Sequence, residues 1–272
     1  MRKLHELIVL IRGAGSVGTA VAQRLAHSHF RVCLTELEQP LAVNRGVALS
    51  EAVFDNLKTV EDITAEKCPP TLEKIYKVWR NNHLPVIVDP EVSIRPLLKP
   101  DVLVNAMMLR RSSANHLQDA EVVVGIGPGF TAGQDVSLVV ESEPGFSLGS
   151  VIMEGSAISK NRAMDEMDSV LDYNTVRAEE NGVFTTAKNC GDNVKASEVI
   201  GYLDKHPVTS PADGVLRGLL RNEMKVLANS RLAVVDAEGS CESCKLIHEN
   251  NRAIAGGVLE AVMLSLNSAP ES

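Results

Sequence analysis

Residues Leu7 to Glu36 constrain the fold of this chain more than any other segment. The apolar run Leu7-Ile8-Val9-Leu10-Ile11 gives way to Gly13-Ala14-Gly15-Ser16-Val17-Gly18. A helix-like stretch follows, then a second apolar run, Val32-Cys33-Leu34, and the acid Glu36. The order is strand, G-x-G-x-x-G, helix, strand, acid, and each piece has a physical task in holding a dinucleotide. Gly13 permits the tight turn out of the strand. Gly15, without a side chain, lets a pyrophosphate approach the backbone, and Gly18 lets the helix pack closely on the sheet. The helix N-terminus offers unpaired N–H groups and partial positive charge to phosphate. Glu36 stands about 20 residues beyond the turn, where a carboxylate accepts hydrogen bonds from a ribose diol.

The 272 residues are enough for a sizeable core, and 44% of them are apolar, a globular composition. Aromatic residues make up only 3% and the net charge is −8. Both argue against nucleic acid as a partner, which needs stacking platforms and a basic surface. No apolar run approaches the ~18 residues of a membrane span. Glu6 and Arg12 bracket the first apolar run, which makes a core strand a better reading than a signal peptide. Five scattered cysteines, an odd number, fit a reducing, cytoplasmic compartment.

The first half alternates strand-like and helix-like segments, as a parallel sheet requires. Strands are predicted at 7–11, 31–35, 85–89, 101–106 and 121–126, and helices at 16–28 and 70–82. In the second helix Leu72, Ile75, Tyr76, Val78 and Trp79 recur at helical spacing. The stretch 40–65 carries a short strand or turn at 58–64. Beyond residue 175 the character changes to short strands at 182–184, 195–203, 214–219 and 232–236, separated by polar turns. Helical character returns from Asn251 to Leu266.

Several groups are candidates for chemistry. Arg12, immediately before Gly13, is placed to clamp a phosphate, to pair with Glu36 or to obstruct a dinucleotide. A second glycine-rich turn, Gly125-Ile126-Gly127-Pro128-Gly129-Phe130-Thr131, follows a predicted strand; Gly127 and Gly129 there either present backbone N–H groups to an anion or make a structural turn. Asp89, Asn105, Arg110 and Arg111 fall at or beyond neighbouring strand ends, where ligands of open α/β sheets sit. Cys241-x-x-Cys244 with His248 has partial metal spacing but lacks the four ligands of a structural zinc site, so reduced thiols on a loop are the better reading and no metal is assigned. Glu223-Met224-Lys225 falls on the wrong side of the Ser-Pro-Ala-Asp-Gly turn for a carrier lysine.

Taken together, several segments resemble one family. They are Ile11-Arg12-Gly13-Ala14-Gly15, Thr35 to Pro40, Ser50-Glu51-Ala52-Val53, Gly127-Pro128-Gly129-Phe130 with Ala132-Gly133, Ser210 to Leu219, and Arg252 to Ala261. The sequence is similar, over nearly its whole length, to the YqeB-type selenium-dependent molybdenum hydroxylase maturation proteins. The resemblance implies a part in preparing a molybdenum hydroxylase, a Rossmann-like domain, and a β module similar to the barrel-sandwich of lipoyl-like domains without the attachment lysine. The chain also departs from the family pattern. Ser16 and Asn105 stand where the family usually carries Asp, and Arg110-Arg111-Ser112 replaces a lysine-bearing segment. Ser137 and Phe146 lie near expected histidines, Asn44-Arg45 replaces a double Arg, and Asp236-Ala237-Glu238 replaces Asp-Pro-Arg. The groups lost are those of acid–base and phosphate chemistry, while the glycines are kept, which points to a divergent member.

The sequence reading is therefore a Rossmann-like nucleotide-binding domain over 1–175, a β barrel-sandwich over 176–240, and a C-terminal helix over 241–272 that packs back on the first domain. Arg12, Gly13, Gly15, Gly18, Glu36, Gly127 and Gly129 are the expected binding residues, and no catalytic residue is assigned. NAD, NADP or a molybdopterin nucleotide are the candidate cofactors. The expected partner is a molybdenum hydroxylase or its maturation machinery, with no nucleic acid and no membrane, and homo-oligomerisation left open. The rival readings are an NAD-dependent oxidoreductase using Asp89 or His116, and a non-catalytic interaction module.

Overall fold

A strand that is apolar without alternation has to be covered on both faces, and the first strand is. The computed structural model describes residues 3–108, 116–158 and 174–267, and in it Val9, Leu10 and Ile11 are fully buried. The first half holds β1 (Ile8–Arg12), α1 (Ser16–His27), β2 (Arg31–Glu36), α2 (Ala52–Asp55), β3 (Leu57–Val60), β4 (Ile63–Lys67), α3 (Leu72–Arg80), β5 (Leu84–Val88), α4 (Arg95–Leu98), β6 (Val102–Asn105) and β7 (Val122–Ile126). There follow β8 (Thr131–Ala132), β9 (Leu138–Val140), β10 (Val151–Ile152) and β11 (Gly155–Ser156). These strands, apart from the small β8–β11 pair, form one sheet in the order β10-β9-β7-β6-β1-β2-β5-β4-β3.

Parallel pairing runs from β9 through β7, β6, β1, β2 and β5 to β4, and the two edge strands β10 and β3 are antiparallel. The chain moves outward from β1 to β2 and β5, then returns across β1 to β6, β7 and β9. That is the strand order of a doubly wound sheet, and its reversal point lies between β1 and β6. Each face has its own core. Val9 and Ile11 pack with Val21 and Leu25 of α1, and Leu10 and Leu103 pack with Ile75 and Val78 of α3. The Trp79 indole N–H donates to Val32 O at 2.7 Å, which ties α3 to the sheet.

The ambiguous stretch 40–65 resolves into two single 3₁₀ turns, the short α2 and the β3–β4 hairpin, which extends the sheet beyond β5. The hairpin turn puts Glu61 at φ +52, and the Glu61 carboxylate accepts from Ile247 N–H at 2.9 Å. That bond reaches the residues just before α5 (Glu249–Asn267).

Between these regions come β12 (Asn174–Arg177), β13 (Gly182–Thr185), β14 (Asn193–Val194), β15 (Val199–Leu203), β16 (His206–Thr209), β17 (Gly214–Leu219), β18 (Met224–Val226) and β19 (Arg231–Asp236). They form two antiparallel four-stranded sheets, β12-β19-β17-β14 and β16-β15-β13-β18. Phe184, Ile200, Leu216, Leu219 and Val235 fill the core they share. Of the strand predicted over 195–203 only Val199–Leu203 forms, as β15. Glu198 accepts from Lys195 N–H at 2.9 Å and Ser197 takes φ +66, so a turn separates β14 from β15. Helix α5 then returns to the large sheet, where Ile254, Val258 and Val262 join the same core as α1. No helix among the described residues is long and apolar enough to cross a membrane.

Candidate functional site

The glycine turn leaves β1 at the reversal point, and its three glycines have different reasons to be glycine. Gly13 takes φ +92, a left-handed conformation strained for other residues. A side chain on Gly18 would place Cβ 1.9 Å from the carbonyl oxygen of Gly13, inside the turn itself. Gly15 is neither strained nor crowded. Its φ of −64° and ψ of −173° are open to any residue, and a Cβ there would meet nothing within 4 Å. The fold therefore demands glycine at 13 and 18 and leaves position 15 bare towards open space.

That space is a cleft of about 420 Å³ beyond the carboxyl ends of β1, β2 and β6. Gly13, Gly15 and Ser16 form one wall, Thr35, Glu36 and Leu37 a second, and Ala106 to Met108 a third. The segment Pro40–Asn44 and Arg231 of β19 close it from the side of the β module. Ser16 opens α1, whose first-turn N–H groups face the same region.

Glu36 is tied to the turn. One carboxylate oxygen accepts from Ala14 N–H at 2.8 Å and the other from Leu37 N–H at 2.8 Å. Burial pushes its pKa above the ordinary glutamate value, and the two backbone bonds hold it back. Each carboxylate oxygen keeps a second lone pair, so Glu36 still has acceptor capacity towards a ribose hydroxyl.

The segment after β2 joins the turn to the β module. Ala14 O accepts from Ser50 N–H at 2.9 Å, and Val43 O accepts from Leu219 N–H at 2.9 Å. The Arg45 side chain donates to Leu219 O at 2.6 Å. Arg221 bonds Glu51 at 3.0 Å and Asp55 at 2.7 Å, with its guanidinium 4.4 Å from the Phe54 ring centre. The β module is thus fastened to the strap that walls the cleft.

The other sequence-predicted residues sort differently. Gly13, Gly15 and Glu36 line the cleft. Arg12 is not among the residues that line the cleft; it donates to the carbonyl oxygen of Pro90, which does line it, at 3.1 Å, in the field of Glu91, Asp119 and Asp89. Gly127 and Gly129 stand apart from the cleft wall. Their φ values of +79° and +103° serve the turn, and Gly127 N–H is used by Val140 O at 2.9 Å. The reason is packing: Phe130, only 2% exposed, folds back so that a Cβ at Gly125 would lie 2.5 Å from its ring.

Asp89 accepts from Ser93 and Ile94 N–H groups at 2.9 and 2.8 Å, the work of a buried loop cap. His116 N–H donates to Asp119 at 2.9 Å on an exposed turn. Neither reaches the cleft wall. Asn105 Oδ1 accepts from Met107 N–H at 3.1 Å, and Arg110 and Arg111 lie outside the described residues. Cys244 is buried with its thiol towards Leu216 O, and Cys241 is exposed. Among the described residues no group of three or more His, Cys, Asp or Glu side chains could hold a metal ion.

Arg231 has no local motif to announce it. It is an arginine at the start of a strand whose next five residues are all buried. Burial lowers its pKa to about 10, so it stays cationic at neutral pH.

Comparison with known proteins gives one close similarity. The chain is 34% identical over 263 residues to the uncharacterized protein YqeB of Escherichia coli (strain K12). This similarity supports a YqeB-type family. The match takes in 97% of this chain and 48% of YqeB, so the chain spans about half the length of that relative. No protein-family model matches the sequence. Among solved structures, TcdA (CsdL) aligns over 97% of this chain and 90% of its own at 12% identity and a TM-score of 0.35. An aspartoacylase family protein from Mesorhizobium loti aligns over 84% of each chain at 11% identity and a TM-score of 0.26. Likenesses at those scores carry no argument about this chain.

Proposed function

We propose that this protein binds a nucleotide or nucleotide-bearing cofactor in the cleft at Gly15 and serves as an accessory protein in the maturation of a selenium-dependent molybdenum hydroxylase. The observation that carries the binding half is the bare position 15. The fold accounts for Gly13 and Gly18 without a ligand, whereas Gly15 faces a cleft at the sheet's reversal point and meets no protein atom. A phosphate that approaches the backbone there is the physical use of a missing side chain. Glu36 would hold the ribose, and Arg231 would face the anionic part.

The maturation half rests on the sequence resemblance over both glycine turns and the β module, read together with the similarity to YqeB. In this reading the β module is of the lipoyl-like barrel-sandwich kind and docks the client enzyme, and the protein works in the cytoplasm. Titration of purified full-length protein with NAD, NADP and a molybdopterin nucleotide tests the binding half. Saturable binding of one of them is expected, and no binding of any of them to well-folded protein overturns it. Capture of the hydroxylase by the full chain, and its loss on deleting residues 178–240, tests the docking half.

A further inference from the structure

Cys241-x-x-Cys244 does not line the cleft, and the fold gives the motif a setting that its spacing alone does not reveal. Residues 240–246 are wound into 3₁₀ turns. Ser243 N–H donates to Ser240 O at 3.1 Å, Lys245 N–H to Glu242 O at 3.0 Å and Leu246 N–H to Ser243 O at 3.2 Å. In such turns residues three apart eclipse each other at about 6 Å, three steps of about 2 Å. That lies inside the Cα separation of about 4.4–6.8 Å that a disulfide spans. Helical side chains lean back towards the preceding turn. Cys244 does so: its Sγ lies 3.5 Å from the carbonyl oxygen of Ser240, the residue joined to Cys241.

A second contact brings both sulfurs to one place. Cys244 Sγ lies 3.8 Å from Leu216 O, and the same carbonyl accepts from Gly191 N–H at 2.8 Å. Cys241 Sγ covers Gly191, so closely that a Cβ on that residue would stand 2.7 Å from the sulfur. The two thiols thus gather around one short piece of backbone. They differ in access: Cys241 is exposed, whereas Cys244 is buried, and burial pushes its thiol pKa up. A third thiol, Cys190, lies at the strap, 4.0 Å from Val43 O and 3.9 Å from Leu219 O.

We propose that Cys241 and Cys244 are a thiol–disulfide exchange pair, oxidised by a low-molecular-weight disulfide, with Cys241 as the attacking thiol and Cys244 as the resolving one. The Cys241 thiolate attacks one sulfur of the small disulfide, whose S–S bond breaks, and the released thiolate takes up a proton. Cys244 then gives up its proton, attacks Cys241 Sγ in the mixed disulfide and expels the second small thiol. The protein dithiol is oxidised by two electrons, and one small disulfide is reduced to two thiols, which carry the two protons the protein loses. Access sets the order, since a buried thiol meets the reagent only after Cys241 has captured it. The Cys244 carbonyl oxygen packs on the strap, where a Cβ at Gly46 would stand 2.0 Å from it, so the pair adjoins the segment that walls the cleft. The pair acts whatever the cleft binds.

The test takes the reduced full chain through glutathione buffers of rising disulfide content, traps free thiols by alkylation and maps linked peptides by mass spectrometry. In wild type Cys241 and Cys244 should be lost together as one internal bond, while Cys33, wholly buried in the sheet, stays reduced. The bond should form at a glutathione disulfide level at least about tenfold lower than in the same chain unfolded in urea, because the fold brings the sulfurs together. Cys244→Ser should stop at a glutathione adduct on Cys241, and Cys241→Ser should leave Cys244 a free thiol. If either variant fails to fold, the wild-type map and the comparison with unfolded chain decide. The proposal is overturned if folded wild type forms no Cys241–Cys244 bond in excess glutathione disulfide, if the bond joins Cys190 to either of them instead, or if folded and unfolded chain oxidise at the same level. It is equally overturned if Cys244 in folded Cys241→Ser takes up glutathione as readily as Cys241 does in Cys244→Ser.

Discussion

The two glycine-rich turns of this protein look alike in sequence and differ in what makes them glycine. Both stand at the ends of buried strands of the same parallel sheet, Gly13–Gly18 after β1 and Gly125–Gly129 running out of the last residues of β7. In the second turn each glycine answers to the protein: Phe130 occupies the space beside Gly125, and Gly127 and Gly129 take positive φ. In the first turn two glycines do the same and one does not. Gly15 has an ordinary backbone conformation and an empty surround, and it lines the cleft. A glycine speaks for a ligand only where the fold has no use for it.

Substitutions can break that comparison, and their expected effects on stability fall in a definite order. Gly18→Ala puts a methyl group against the backbone of Gly13 with no side chain to yield, so a loss of about 3 kcal/mol or more is expected in chemical denaturation. Gly125→Ala meets the Phe130 ring, which shifts only by disturbing the core, for a loss of about 1–3 kcal/mol. Glu36→Gln keeps one acceptor for Ala14 N–H and gives up the charged one for Leu37 N–H, for a loss of about 1.5 kcal/mol. Gly15→Ala meets no clash and should lose only about 0.5–1 kcal/mol, the cost of Ala for Gly at the N-cap of α1. If Gly15→Ala proved as damaging as Gly18→Ala, position 15 would be a structural glycine and the contrast between the turns would vanish.

The central sheet was readable in the sequence because its strands are buried on both faces and so appear as unbroken apolar runs: β1, β2, β6 and β7 fall where Leu7–Ile11, Val32–Leu34, Val102–Val104 and Val122–Val124 stand. Helix α3 was readable from its spacing. The β3–β4 hairpin showed only as a short strand or turn at 58–64 and the β9–β10 pair not at all, since strands of two to five residues near a sheet edge are stabilised by their neighbours rather than by their own pattern.

The site divides the same way. Gly13, Gly15 and Glu36 follow from local order, because one turn and one adjacent strand end bring them together. Arg231 enters the cleft from a strand more than 200 residues beyond the glycine turn, and tertiary contacts such as Leu219 with Val43 and Arg221 with Glu51 put the β module near it. Arg12 and the Gly127–Gly129 turn fall outside the cleft wall for a related reason. Adjacency to a motif or to a strand end does not say which way a side chain leaves the backbone. Pro90, which holds Arg12, is 78 residues from it, and Val140, which holds Gly127, is on the next strand of the sheet.

The most direct test is to titrate NAD, NADP and a molybdopterin nucleotide against wild type and Gly15→Val side by side, with melting curves for both. The account predicts nearly equal melting and a loss of affinity of at least about tenfold for whichever nucleotide the wild type binds. Equal affinity in a folded Gly15→Val protein would show that no phosphate lies over the turn, and would contradict the proposal that the cleft exists to hold one.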